Sequence, residues 1–430
     1  MRPLPALARR LPEEQAFWEE STMKSLQRRH VLRVMAAASA LLATGIAPGA
    51  LAQDRSSVKI GYAISKTGPN AGGAGITTLP NYQLWVKDVN DAGGLELPDG
   101  KKLPIEVIEY DDRSTSEELV RAVERLATQD EADFILAPWG TGFNLAAAPL
   151  FDRYGYPQLA VSSVTDKAPD FVKRWKKSFW MLGGGHDYAG ALAGIIKRAV
   201  TDGTLNNKVA MVSVADGFGI DLVNAARPAF AEAGIELVYD KTYPVGTSDF
   251  SPMINEAKAS GADSFVAFSY PPDTFALTQQ SQVADFNPKL LYLGVGTGFP
   301  VYGKNNGDNA TGIMSLGGID PANEANAAYR KRHEEVTGQG PDYWGSVITY
   351  ASLQMLQEAI KRKGLDREAV SAELSTGTFQ TVLGETKMED NQLRTLWWTG
   401  QWQNGQFVGI APADRTGASQ PILPRQAWKK

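Results

Sequence analysis

The sequence predicts an α/β fold built on parallel sheets, and three observations predict it. Short apolar runs alternate with helix-length segments, the runs end in loops rich in Gly, Ser and Thr, and the helical segments repeat their apolar residues every three to four positions. At 430 residues, with 43% hydrophobic and 21% charged content, the chain has an ordinary globular composition and length for more than one core.

The alternation starts only after residue 52. From Met23, the basic residues Lys24, Arg28, Arg29 and Arg33 precede an apolar stretch at 34–47 and the small residues Ala50 and Ala52, which is the layout of a secretory signal peptide cleaved after Ala52. A helix of about fourteen residues spans roughly 21 Å, against about 30 Å of membrane hydrocarbon, so the segment reads as an export signal rather than an anchor. Arg28-Arg29-His30-Val31-Leu32 is similar to a twin-arginine signal, but Gln27 and Val31 depart from its usual serine and phenylalanine, leaving the general secretory route open as well. Glu13, Glu14, Glu19 and Glu20 are foreign to a signal's basic region, so Met23 is the expected start and 1–52 the expected leader.

The first strand is expected at 58–63, running into the turn-rich Ser65-Lys66-Thr67-Gly68-Pro69 and a helix at 79–89. A strand at 104–110 follows. Thr115 and Glu118 form a capping-box signal for a helix whose Leu119, Ala122, Val123 and Leu126 share one face. Further strands are expected at 133–139, 157–161, 208–214, 235–243, 264–270 and 290–295, with helices at 219–233, 251–259, 273–284 and 347–362. Near the end the texture changes: Asn404-Gly405 sits between runs at 394–402 and 406–410, a hairpin signal, and 415–424 reads as a loose tail.

In open parallel sheets ligands sit beyond the carboxyl ends of the strands. Two loops there carry hydroxyls and glycines. Trp139-Gly140-Thr141-Gly142-Phe143 is either an anion cradle at a helix N-terminus or a plain turn, and Ser162-Ser163-Val164-Thr165-Asp166 is either a set of ligand donors or a helix cap. Asp216-Gly217-Phe218-Gly219 and Ser269-Tyr270-Pro271-Pro272-Asp273 hold matching places in the second half, where Phe218 and Tyr270 either cover a ligand or simply pack. Trp139 and Phe143 offer a flat apolar wall suited to an aromatic acid.

Other chemistries have little material. The chain has no cysteine and a net charge of -5, so thiol catalysis, disulfides and a cysteine lipid anchor are excluded and nothing favours nucleic acid. His30, His186 and His333 lack metal-ligand spacing, Asp111-Asp112 reads as a solvated turn, and His186-Asp187 has no poised nucleophile. No enzyme, cofactor or metal is expected.

Val58-Lys59-Ile60-Gly61 with Thr67-Gly68-Pro69, Tyr110-Asp111-Asp112, the Thr141 loop, 163–166, 216–219 and Thr349-Tyr350-Ala351, taken in succession, resemble the leucine/isoleucine/valine-binding protein family of periplasmic receptors. The resemblance covers nearly all of the chain after residue 52. It implies a type I periplasmic binding fold, with two doubly wound lobes joined by three hinge crossovers near Leu182, Met314 and Leu383. The lobes would be 53–182 plus 315–383 and 183–314 plus 384–414, followed by a tail at 415–430.

The resemblance further implies a monomer in the periplasm that binds an amino-acid-like or other small carboxylate between the lobes and serves an ABC permease complex. A sensing module that partners a receptor is the alternative class. By similarity Thr141, Ser163 and Thr165 would grip the ligand, with Gly142 and Trp139 beside them and Phe218 and Tyr270 facing them. The position at which amino-acid-binding members commonly carry an acid for the ligand's ammonium is here Gly296. Either Asp216 or Asp273 substitutes, or the ligand is a carboxylate, aromatic or aliphatic, without an amino group.

Overall fold

The first apolar run becomes β1 (Val58–Ile64), buried along almost its whole length. The computed structural model describes residues 55–429, so the signal peptide, its cleavage point and the start at Met23 lie outside the described residues. After β1 come α1 (Ala71–Thr77), α2 (Leu79–Asp91), the two-residue strands β2 (Leu95–Glu96) and β3 (Lys102–Leu103), and β4 (Ile105–Asp111). The chain continues through α3 (Ser116–Thr128), β5 (Phe134–Leu136), α4 (Thr141–Tyr154), β6 (Gln158–Ala160), α5 (Ala168–Arg174) and β7 (Ser178–Trp180). β4, β1 and β5 form a parallel sheet with β1 in the middle, and β6 pairs in parallel with β7.

The next group begins with α6 (Gly185–Thr201), β8 (Lys208–Val214), α7 (Gly217–Glu232), β9 (Glu236–Tyr243), α8 (Ser251–Ala259), β10 (Ser264–Phe268), α9 (Pro271–Val283) and β11 (Leu290–Leu293). It ends with α10 (Pro300–Asn306), β12 (Met314–Ser315), α11 (Glu324–Thr337), α12 (Gly345–Lys363), α13 (Arg367–Thr376), the hairpin β13 (Thr378–Thr381) and β14 (Gly384–Lys387), then β15 (Thr399–Gln403) and β16 (Gln406–Ala411). A seven-stranded sheet has the order β16-β15-β12-β11-β10-β8-β9, parallel from β9 to β12 and antiparallel from β12 to β16. The α/β class with parallel sheets is as the sequence predicts. β10 and β11 are buried at every residue, which is why they read as continuous apolar runs.

Local chemistry accounts for several elements. Thr115 caps α3 by accepting from the Glu118 backbone N-H, and Leu119, Ala122, Val123 and Leu126 are its buried face. Asn404 and Gly405 both have positive φ, the conformation that a two-residue hairpin between β15 and β16 requires. The hairpin's first strand starts at Thr399, so 394–398 belong to no strand.

The seventeen-residue α6, which buries Tyr188, Leu192, Ile195 and Ile196, is not among the expected helices. Two stated expectations are corrected. Asp112 is buried rather than solvated, with Ser65 Oγ and Ser114 N donating to its Oδ1. The tail is strapped down rather than loose. Ile422 N donates to Gln401 Oε1, and Trp428, which is buried, donates its indole N-H to the Phe286 carbonyl at 2.7 Å. Among the described residues no helix is long and apolar enough to cross a membrane.

Candidate ligand-binding site

Parallel register sets the loops after β8, β10 and β11 side by side, because Ala267 of β10 lies opposite Val212 of β8 and Leu293 of β11. Asp216, Tyr270 and Val295 therefore emerge at one edge of the seven-stranded sheet. Asp216 caps α7, its Oδ1 accepting from the backbone N-H groups of Phe218 and Gly219. Its Oδ2 accepts from the Tyr270 hydroxyl at 2.6 Å. Tyr270 caps α9, whose first turn starts with Pro271 and Pro272, and the Asp273 carboxylate reaches back to the Tyr270 N-H.

The loop after β5 meets this edge. Trp139 lies with its ring centroid 5.3 Å from that of Tyr270, which stacks on Phe218 at the same separation and an interplanar angle of 19°. The three rings form a continuous aromatic column. Trp139 is fixed from behind: its indole N-H donates to Thr77 Oγ1, and Gly73 leaves room for it, since a Cβ there would stand 2.1 Å from the indole. Thr141 Oγ1 accepts from the Val164 N-H, and Ser162 Oγ accepts from Gly140 N, so the loops after β5 and β6 brace each other.

A small cavity of about 20 Å³ lies among Trp139, Thr141, Phe218, Tyr270, Val295 and Trp344. The structure brings together four of the residues that sequence reasoning named: Trp139, Thr141, Phe218 and Tyr270. Ser163 is fully buried near them in sequence, and its Oγ has no hydrogen-bond partner. Gly142 is the second residue of α4 and approaches Gly217 of α7. Thr165 Oγ1 accepts from the Lys167 N-H in a local turn, and Thr165, like Ser163 and Gly142, is not among the residues that line this cavity. Phe143 packs on the core around α3 rather than on the aromatic column, so it is no part of an apolar wall with Trp139. Thr77 and Trp344 line the cavity and were missed, for neither stands in a polar loop after a strand.

The electrostatics are those of buried carboxyls held by phenols. Burial pushes both Asp216 and Asp273 above the usual carboxylate range. Burial, with the negative Asp216 beside it, also holds the Tyr270 phenol far above its ordinary value. Asp273 Oδ2 accepts from the Tyr243 hydroxyl as well as from Tyr270 N. Neither carboxylate lines the cavity.

Gly296 does not line it either. Its φ is 107°, a conformation that side-chain-bearing residues rarely adopt, and a Cβ there would stand 3.0 Å from Pro271 Cα. The backbone thus disfavours any side chain at this position. Among the described residues no cluster of His, Asp and Glu could hold a metal ion.

Residues 57–406 match the family of periplasmic binding proteins. The chain belongs to that family. Its members are extracytoplasmic solute-binding proteins rather than enzymes. Among curated relatives, the Leu/Ile/Val-binding protein homolog 7 of Brucella suis is 22% identical over 422 residues that cover 92% of this chain and all of that protein.

Among solved structures, the branched-chain amino acid transporter substrate binding protein LivJ of Streptococcus pneumoniae in complex with isoleucine has a TM-score of 0.71 at 20% identity, covering 82% of this chain and 97% of that one. A solute binding protein of an ABC transporter from R. palustris in complex with benzoate has a TM-score of 0.72 at 18% identity, covering 85% of this chain and 99% of that one. The fold is therefore the type I periplasmic binding fold.

Proposed function

We propose that this protein takes a small aromatic carboxylate without an amino group between its two sheet systems and delivers it to an ABC importer. The observation that carries the ligand class is Gly296: it offers no acid and its backbone disfavours one, while Asp216 and Asp273 are already engaged by backbone N-H groups and by Tyr270 and Tyr243. An ammonium buried here would lack a counter-charge, which is costly.

Trp139, Phe218 and Tyr270 supply flat apolar faces for an aromatic ring. Thr141, the N-H groups at Gly142 and the unpartnered hydroxyl of Ser163 are neutral donors for a carboxylate, and the N-terminus of α4 favours negative charge. The relative in complex with benzoate supports this reading.

The cavity of about 20 Å³ is too small for such a ligand. Binding then requires lobes at 53–182 plus 315–383 and 183–314 plus 384–414 to part and close again at crossovers near Leu182, Met314 and Leu383. Export through the leader at 1–52, by either route, and a monomer docking on an inner-membrane permease complete the reading.

A thermal-shift panel on the ligand-stripped protein from Gln53 tests it. Benzoate and related acids should raise the melting temperature, since selective binding stabilises by RT ln(1 + [L]/Kd). A second reading, an aliphatic amino acid, is favoured by the relative in complex with isoleucine and predicts shifts with leucine or isoleucine instead.

A further inference from the structure

A second cavity, of about 260 Å³, adjoins the aromatic one at Tyr270, the one residue that lines both. Pro69 and Asn70, in the loop after β1, form one wall. The other comes from Val245 to Ser248, in the loop after β9, and from Pro272, Asp273 and Ala276 of α9. β1 belongs to the three-stranded sheet and β9 to the seven-stranded one, so this cavity bridges the two sheet systems at the carboxyl ends of their strands.

The walls narrow the occupant. Pro69, Val245, Pro272 and Ala276 make them mainly apolar, and the volume exceeds the roughly 150 Å³ at which an engineered apolar cavity takes up benzene. Among the described residues no Lys or Arg lines the cavity and Asp273 does, so an anionic group is repelled rather than held. Asp273 also offers an acceptor. The Tyr243 hydroxyl and Tyr270 N both donate to its Oδ2, no described residue donates to Oδ1, and Oδ1 is not sealed off as Ser163 Oγ is. Asp273 lines this cavity and not the aromatic one, so Oδ1 serves the far end of a ligand rather than a group beside its carboxylate. Apolar walls make an ammonium costly to desolvate, so a neutral donor suits Oδ1 better.

We propose that this cavity is an outer subsite for the same ligand: the aromatic carboxylate carries, at the ring position opposite its carboxylate, an uncharged apolar arm whose terminal hydroxyl donates to Asp273 Oδ1. The inference rests on the aromatic-carboxylate reading and narrows it to ligands longer than a single ring. Because the arm touches the loop after β1 and the loop after β9 together, it ties the two sheet systems to each other when the ligand is bound.

Calorimetric titration of the ligand-stripped protein with benzoate, 4-propylbenzoate, 4-(3-hydroxypropyl)benzoate and 4-(3-aminopropyl)benzoate tests the proposal. Three variants accompany it: Ala276→Phe, which fills the cavity, Val245→Ser, which removes apolar wall, and Phe218→Ala, each checked for an intact melting transition. Val245 is 48% exposed, so V245S keeps the test open should A276F fail to fold. The propyl arm should tighten binding about tenfold or more over benzoate, and the terminal hydroxyl about threefold further. The gain from the arm should vanish in A276F and shrink in V245S. Benzoate binding that F218A removes, with no gain from either arm, overturns the outer subsite and leaves the aromatic reading standing. A gain that persists undiminished in either cavity variant, or an amino arm that binds tighter than the hydroxyl arm, overturns the subsite as well. Binding of none of the four acids overturns both readings.

Discussion

The Tyr270 hydroxyl donates to Asp216 Oδ2 at 2.6 Å, joining the cap of α9 to the cap of α7 across two neighbouring parallel strands. This bond fixes the Tyr270 ring against Phe218 and leaves no free oxygen on Asp216, whose other oxygen serves the start of α7.

Tyr270→Phe keeps the stacked ring and removes only that bond. A hydrogen bond to a charged group is worth about 1.5–3 kcal/mol, and a buried Asp216 without its phenol should lower stability by an amount in that range. Urea denaturation of the two proteins measures it, and equal midpoints would mean that the bond carries no net weight.

The pH dependence of Asp216 has a definite sign. Its folded pKa is raised by burial, so its contribution is most favourable below the unfolded value of about 3.9 and is lost as pH rises through the folded value. Asp216→Asn has no such titration and can still accept from the Phe218 and Gly219 N-H groups. Relative to the parent, D216N should therefore gain stability as pH is raised from the acid side toward neutrality, read as the difference between two melting-temperature profiles. A difference moving the other way would contradict the assignment.

Gly296→Glu introduces an acid at the position where the family resemblance leads one to expect it, but places it at a φ of 107° against Pro271. The variant should lose about 1–3 kcal/mol to backbone strain and gain no affinity for leucine by calorimetric titration. A stable variant that acquires leucine binding would show that the loop can adopt another path.

Trp428→Ala tests the C-terminal strap. The side chain is buried and bonded to the Phe286 carbonyl, so truncation should cost about 3–5 kcal/mol, seen as a lower melting temperature.

What the sequence reveals follows from the range of the interactions. The buried face of α3 and the Asn404-Gly405 turn are written within a few residues, and both are legible. The polar loops at strand ends are legible too, because parallel topology places them. Thr77 and Trp344 escape detection, since they reach the aromatic cavity from the ends of α1 and α11's following loop by packing that no local pattern records. The tail's order depends on Phe286 and Asn287, far away in sequence, so a stretch rich in Pro and Gly reads as loose. Thr165 is ambiguous in sequence for the opposite reason, because a hydroxyl two residues before a backbone N-H satisfies a turn as readily as a ligand.

The central claim, a carboxylate ligand without an amino group, is tested most directly by calorimetric titration of the ligand-stripped protein with one matched pair, 3-phenylpropanoate and L-phenylalanine. The two share a ring, a chain and a carboxylate and differ only in the ammonium. The account predicts measurable binding in the aromatic site, lost in F218A, for the first and not for the second. Tighter binding of L-phenylalanine, with the same dependence on Phe218, would contradict it.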